Sequence, residues 1–403
     1  MKRALFLTCA LIAAASRAFA QQDIPDPAAD AKLRFGPLAL TPTLALVNAG
    51  IDTNVFNDPT IAGPKRDFTM TFEPKTDWWL RVGRTWFLGN VTEGLVYYNK
   101  YESERSVNGL YKAGWLVPLT RLTVQANGSY LRTRDRPGFE IDARAQRTEI
   151  GADGSVEIRA LSKTFVGIRA KRQYVDYADD AVFLDRNLHE ELNRTVTTGA
   201  ITFRHEVTPL TSVTFDIVRE QARFDFSPLR NADSTEFVAG VKFDPTALLK
   251  GIAAIGYRNF EPLVPGLPRY KGSTATIDLS YVALNATKVS VRGTRDVQFS
   301  YDVNQPYYLQ TGVTGELTQR LFGPFDIVGR AGYAKLDYRD RFDAVVPEAD
   351  RADVMHIFGG GVGYRIGSGL RVGFNVDQQT RDSHVLIRQY KGLKYGTSVT
   401  YGF

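Results

Sequence analysis

Along most of this chain apolar and polar residues alternate one for one. Ala275, Ile277, Leu279 and Tyr281 are interleaved with Thr274, Thr276, Asp278 and Ser280. Leu370, Val372, Phe374 and Val376 alternate with Arg371, Gly373, Asn375 and Asp377, and Leu122, Val124, Ala126 and Tyr130 with Thr123, Gln125, Asn127 and Ser129. Near the C-terminus Leu393, Tyr395, Val399, Tyr401 and Phe403 oppose Lys394, Ser398 and Thr400. A period of two is the strand period, so each segment predicts a β-strand with one apolar and one polar face. The segments run roughly 12 to 18 residues and are rich in Val, Ile, Thr, Tyr and Phe. A soluble β-sandwich alternates too, over a dry core, but its strands are about 5 to 6 residues long. A tilted strand crossing a bilayer needs about 9 to 11.

The connections fall into two kinds. Short ones lie at 82–84, 117–120, 161–163, 208–211, 247–250, 284–287, 321–324 and 366–369. Longer polar ones lie between them, at 57–66, 102–106, 134–144, 179–191, 227–233, 261–268, 302–305, 342–350 and 382–387. Alternating short and long connections are what a chain of hairpins gives when one end faces the periplasm and the other faces outside. The fold class expected is therefore all-β: a transmembrane antiparallel up-and-down β-barrel of about 18 strands (16–18), with both termini on the short-turn side. In lipid every backbone polar group must be paired internally, so the last strand is expected to pair with the first, about Pro37 to Val55, and leave no edge. Aromatic residues near strand ends (Trp78, Trp79, Trp86, Tyr97, Tyr98, Tyr101, Tyr307 and Tyr308) fit interfacial girdles.

Composition narrows the picture. The chain has 403 residues, 43% apolar and 23% charged, and nothing in that balance suggests wholesale disorder. A mean hydropathy of −0.22 excludes a bundle of membrane helices but not a membrane barrel. Lys2 and Arg3, the apolar run ALFLTCALIAAA and the small residues of Ala18-Phe19-Ala20 form a secretory signal, 1–20, with a mature start near Gln21. The only cysteine, Cys9, lies inside it, and the apolar run before Cys9 is too short for a lipoprotein site. The mature chain then has no disulfide. Losing Lys2, Arg3 and Arg17, with no acid, takes the formal charge from +6 to +3. That balance, spread singly along the strands, is no argument for nucleic acid. The organisation expected is signal peptide 1–20, a short periplasmic segment 21–35, too short for a plug domain, and a barrel over 36–403.

Catalytic chemistry is not legible. His189, His205, His356 and His384 are scattered, and no HExxH, GxSxG or Cys/His cluster occurs. The expectation is no enzyme, no cofactor and no metal. Gly359-Gly360-Gly361 has no following Lys and reads as a place of bending or close approach. The acidic stretch with Asp179, Asp180, Asp185, Glu190 and Glu191 matches no calcium loop and reads as a solvated loop. The informative residues are charged ones on the polar face: Arg81, Arg169, Lys171, Asp216, Asp278, Arg292, Asp296, Arg330, Arg371, Asp377 and Lys394. Unpaired buried charge is costly, so they must meet water or one another. That leaves two readings open: a wet passage, whose Arg and Asp rows suit sugar hydroxyls, or a salt-bridged network that fills the bore.

The stretch LTPTLALVNAGIDTNVFNDP, 40–59, carries Gly50-Ile51-Asp52-Thr53-Asn54-Val55-Phe56. It resembles the opening of the putative β-barrel porins, a family of bacterial outer-membrane β-barrels, in which a strand leads into a Gly-x-Asp-x-Asn-Val-Phe element. The resemblance implies an outer-membrane location and a passive passage, most readily for exopolysaccharide, with polysaccharide as cargo and a periplasmic polysaccharide export protein as partner. The terminal alternation ending on Tyr401 and Phe403 resembles the signal read by the barrel assembly machinery. A single chain closes alone, so a monomer is expected. The rivals are a general small-solute porin, a closed structural or surface-interaction barrel, and a barrel enzyme. A diffusion porin predicts a long inward-folded constriction loop, and no connection here reads as long enough.

Overall fold

The computed structural model describes residues 26–402 apart from 30, 246, 285 and 343–349. The signal segment with Cys9, and Phe403, lie outside the described residues. Eighteen strands form the wall: β1 (Leu38–Asp52), β2 (Asp67–Val82), β3 (Thr85–Tyr98), β4 (Ser106–Pro118), β5 (Leu122–Asp135), β6 (Ala145–Leu161), β7 (Thr164–Tyr177), β8 (Arg194–Thr208), β9 (Thr211–Phe224), β10 (Ala232–Phe243), β11 (Leu249–Pro262), β12 (Tyr270–Ala283), β13 (Thr287–Phe299), β14 (Tyr307–Arg320), β15 (Phe325–Arg339), β16 (Ala352–Ile366), β17 (Leu370–Asp382) and β18 (Tyr390–Tyr401). Each pairs antiparallel with its neighbour in sequence, as hairpins must. β18 returns to β1, from Leu44 opposite Tyr401 to Asp52 opposite Lys394, and the barrel has no edge.

Facing residues of paired strands share a side, so the registers sort the wall into two faces. One carries Ile168, Ile201, Phe215, Ile255, Phe358 and Val362, each more than half exposed, and suits lipid. The other turns inward and is charged and polar. The first strand expected over Pro37 to Val55 is shorter, because the Asp52 carboxylate accepts from the Asn54 amide at 2.9 Å and turns the chain out of the sheet.

Adjacent aromatic residues cannot share a face, and this corrects the girdle expectation. Trp79 and Trp86 point inward beside Ala39, and Tyr98 and Tyr308 are buried. Phe87 and Trp115, stacked at 6.4 Å, and Tyr111 and Tyr130 belong to the outward belts instead. Before β1, Leu33–Phe35 forms a small hairpin with Leu38–Leu40, and Ala28 packs on Ala39 and Trp86 inside the short-turn mouth.

The wall is not uniform. Pairing of β12 with β13 stops at Ala275 opposite Arg295, although β12 stays paired to β11 up to Tyr270, and β13 to β14 up to Phe299. The outer ends of β13 and β14 therefore leave the wall. Their Val297, Tyr307 and Leu309 pack on Ala232, Phe260 and Tyr270 of the neighbouring strands. The hairpin tip leans into the bore.

Candidate functional site: the lumen and its outer mouth

All the charged residues singled out in the sequence lie on the inward face. Asp278 and Arg292 face each other across β12 and β13, 3.6 Å apart, with side chains 62% and 76% exposed, so both are solvated. Arg330 reaches Asp377 at 3.2 Å and Asn375 at 2.9 Å. Arg371 binds Asp326 at 2.6 Å, and Arg365 binds the same carboxylate at 3.0 Å. Asp296 lies 3.3 Å from Arg258, which also holds Glu236 at 2.8 Å. Lys394 meets Asp52 at 3.0 Å across the closing seam. Asp216 accepts from Thr202, and Arg81 lies over the Trp86 ring at 5.5 Å. Arg169 and Lys171 are exposed and have no ion pair among the described residues. The lumen wall is thus a set of Arg–carboxylate groups separated by solvated charges.

Glycines make room for this lining. A Cβ on Gly359 would sit 1.9 Å from the Asp377 carboxylate, one on Gly361 2.3 Å from Asn375, and one on Gly363 2.4 Å from Arg371. The glycine run is a trough in the inner wall of β16, and the close approach is by side chains of the adjacent strands.

The outer mouth is different. The connection 136–144, between β5 and β6, crosses the bore. Phe139 packs against Tyr308 of β14 and Leu336 and Tyr338 of β15, on the opposite side of the ring. Ile141 joins a buried cluster with Tyr177, Phe183, Leu188 and Tyr301. Asp142 takes Arg381 at 3.0 Å and Arg388 at 3.2 Å. Arg381 has no solvent exposure and also holds Asp353 at 2.5 Å, which Arg351 grips at 2.7 Å. Glu140 is buried and accepts from the Ser300 hydroxyl at 2.6 Å, and burial pushes its carboxyl up to about 7. Arg230 donates to the Ser300 and Tyr301 carbonyls at 2.9 and 2.8 Å and pairs with Glu191 at 2.5 Å.

Two expectations are corrected here. No single connection is long, yet the mouth is occupied, because 136–144, the leaning β13–β14 tip and 178–193 share the task. The acidic stretch is not merely solvated: its helix α1 (Leu188–Leu192) buries Leu188 and Leu192, and Glu191 is held by Arg230. Sequence reading passed over Glu140, Asp142, Arg230, Asp353, Arg381 and Arg388. The one available signal was Phe139-Glu140-Ile141-Asp142, an apolar–acidic alternation inside a connection read as polar.

The Gly50-to-Phe56 element joins this mouth to the seam. A Cβ on Gly50 would lie 2.0 Å from the Tyr395 carbonyl oxygen, so only glycine lets β1 and β18 approach. Asn54 is buried and donates to the Asp58 and Lys391 carbonyls at 2.9 and 3.2 Å. The Val55 carbonyl accepts from Arg136 at 2.8 Å, which anchors the root of the crossing connection. A family model described as "Putative beta-barrel porin 2" matches residues 26–403. The chain belongs to this porin family.

As a porin-family barrel with a closed wall and an apolar outer face, the protein resides in the outer membrane. Among curated proteins no relative matches it. Among solved structures it is similar to Pseudomonas aeruginosa OccK2 (OpdF), crystallised with glucuronate, at 10% identity and TM-score 0.47, over 90% of this chain and 97% of that one. A BenF-like porin from Pseudomonas fluorescens aligns at 11% identity and TM-score 0.46, over 90% and 98%. Acinetobacter baumannii OccAB3 aligns at 10% and 0.46, over 90% and 99%. In this porin His356 lies on the outward face between Tyr333 and Phe358, His205 bonds Thr164 on the wall, and His189 sits in α1.

Proposed function

We propose that the barrel is a passive conduit closed at its outer mouth by the 136–144 connection, and that its cargo is an exopolysaccharide leaving the cell. The observation that carries this reading is the contrast along the bore. Towards the short-turn end the inner wall presents solvated charge, such as Asp278 and Arg292. At the outer end a fully buried arginine, Arg381, ties the crossing connection to the far wall. Guanidinium and carboxylate groups in rows hydrogen-bond hydroxyls without demanding one sugar geometry. The lumen set is Arg81, Arg169, Lys171, Asp216, Asp278, Arg292, Asp296, Arg330, Arg371, Asp377 and Lys394. Transport at the barrel needs no chemistry, so the reading is of a non-enzymatic channel.

The same reading has the signal removed after residue 20, segment 21–35 at the periplasmic mouth, and Tyr401 with Phe403 serving recognition by the assembly machinery. A periplasmic export protein would deliver the chain and displace the closure. The test is single-channel conductance of the refolded mature barrel with the host's own exopolysaccharide. Current that the polysaccharide interrupts supports the cargo. Current indifferent to it points to a small-solute porin.

The buried mouth favours a second reading, a closed surface-interaction barrel. It predicts no current under any condition that leaves the barrel folded.

A further inference from the structure

The outward face of β2 to β5 carries two adjoining concavities. The first, about 390 Å³, is lined by Arg105, Arg132 and Arg134 together with Glu93, Tyr111 and Tyr130. The second, about 580 Å³, is lined by Met70, Phe72, Leu95 and Val107. Arg105, Ser106 and Val107 border both, so a basic cleft opens directly into an apolar groove.

We propose that this paired cleft and groove binds a phosphorylated, acylated lipid of the outer leaflet, of the lipopolysaccharide class. The phosphate sits among the guanidinium groups and an acyl chain lies in the groove. The level in the membrane is right. Tyr111 and Tyr130, 6.1 Å apart, belong to the outward aromatic belt. Arg132 follows Tyr130 by two residues on the same face of β5, and Arg134 by four. A tilted strand climbs about 5 Å per residue pair, which sets these guanidiniums in the headgroup layer. Beside them, Phe72, Leu95 and Val107 follow one another across β2 to β4 and give the groove an apolar lining open to lipid.

The charges are suited to an anion. Arg132 is exposed and has no ion pair among the described residues. Arg134 is steadied by Glu104 at 3.4 Å, and Arg105 by Glu102 at 3.1 Å and by stacking over Tyr97 at 4.6 Å. Glu93, the one carboxylate lining the cleft, accepts from the Tyr111 hydroxyl. Arg132 therefore offers a guanidinium with no ion pair among the described residues, between two guanidiniums that Glu102 and Glu104 hold in place from outside the cleft, and the one carboxylate lining the cleft is capped. Basic pockets at the membrane surface recognise anionic headgroups in this way.

The test uses the full mature barrel in detergent micelles, titrated with bisphosphorylated lipid A and, separately, with its dephosphorylated counterpart, and read by native mass spectrometry. The paired substitution Arg105→Gln with Arg132→Gln is expected to weaken binding of the phosphorylated lipid at least about tenfold. Dephosphorylated lipid should bind wild type no better than phosphorylated lipid binds the variant. Heat-modifiable migration on a gel verifies that the variant is folded. If it is not, the wild-type comparison of the two lipids decides alone. Equal binding of the two lipids, or equal binding by folded wild type and variant, overturns the proposal. Displacement of the lipid by inorganic phosphate would show a free-anion site and overturn it as well.

Discussion

At the residue scale, the proposed closure of the mouth rests on Arg381, Arg388 and Glu140. Among the described residues, Arg381 alone pairs with both Asp142 of the crossing connection and Asp353 of the wall. Removing one partner of a buried ion pair leaves the other charge uncompensated, at a cost of about 3–5 kcal/mol. Arg351 keeps Asp353 paired and Arg388 keeps Asp142 paired, so both Arg381 and Arg388 must go before the carboxylate of the connection is left uncompensated. Arg381→Ala combined with Arg388→Ala is therefore expected to release 136–144 without unfolding the barrel. Limited proteolysis of intact cells should then cut this connection in the variant and spare it in wild type.

Glu140 adds a pH dependence with a fixed sign. Its carboxyl is raised from 4.5 to about 7 by burial in the closed mouth. Between those values the closed state holds a proton that an opened mouth releases, so rising pH works against closure across that window and has no further effect above it. Open probability in bilayers should rise from pH 5 to pH 7.5 and level off. Glu140→Gln should remain closed and lose the dependence. An unchanged slope in that variant would assign the titration elsewhere.

At the scale of elements, the seam is the place where sequence dictates geometry most sharply. Asn48 takes a φ of 54° and a bulge shifts the register of β1 between Leu46 and Ala49, bringing Gly50 against the β18 backbone. Gly50→Val is expected to block closure and abolish the heat-modifiable folded band. Gly315→Val on β14, where nothing lies within 4 Å of an added Cβ, should fold. The wall was legible because period two, turn spacing and span length each point to the same hairpins. Ile277 and Asp278 declare their faces without any knowledge of neighbours. The mouth was not legible, because its partners are far apart in sequence. Nothing near Asp142 announces Arg381, 239 residues away. The aromatic pairs misled for the opposite reason: Trp78-Trp79 was read as one interfacial cluster, but the pleat sends its members to opposite faces.

At the scale of the whole molecule, the barrel is a cup: a solvated charged bore towards the short turns, and a dry ion-paired closure at the far end. A ring of 18 strands is wide enough for an aqueous channel, so on the proposed reading the closure and not the wall sets what passes. The most direct measurement is single-channel conductance of refolded wild type against an Arg381→Ala/Arg388→Ala variant in planar bilayers. The account predicts a mostly silent wild type with brief openings, and a steadily conducting variant with the folded, heat-modifiable migration of wild type. A folded variant as silent as wild type would mean that the bore is blocked below the mouth, and would contradict the conduit.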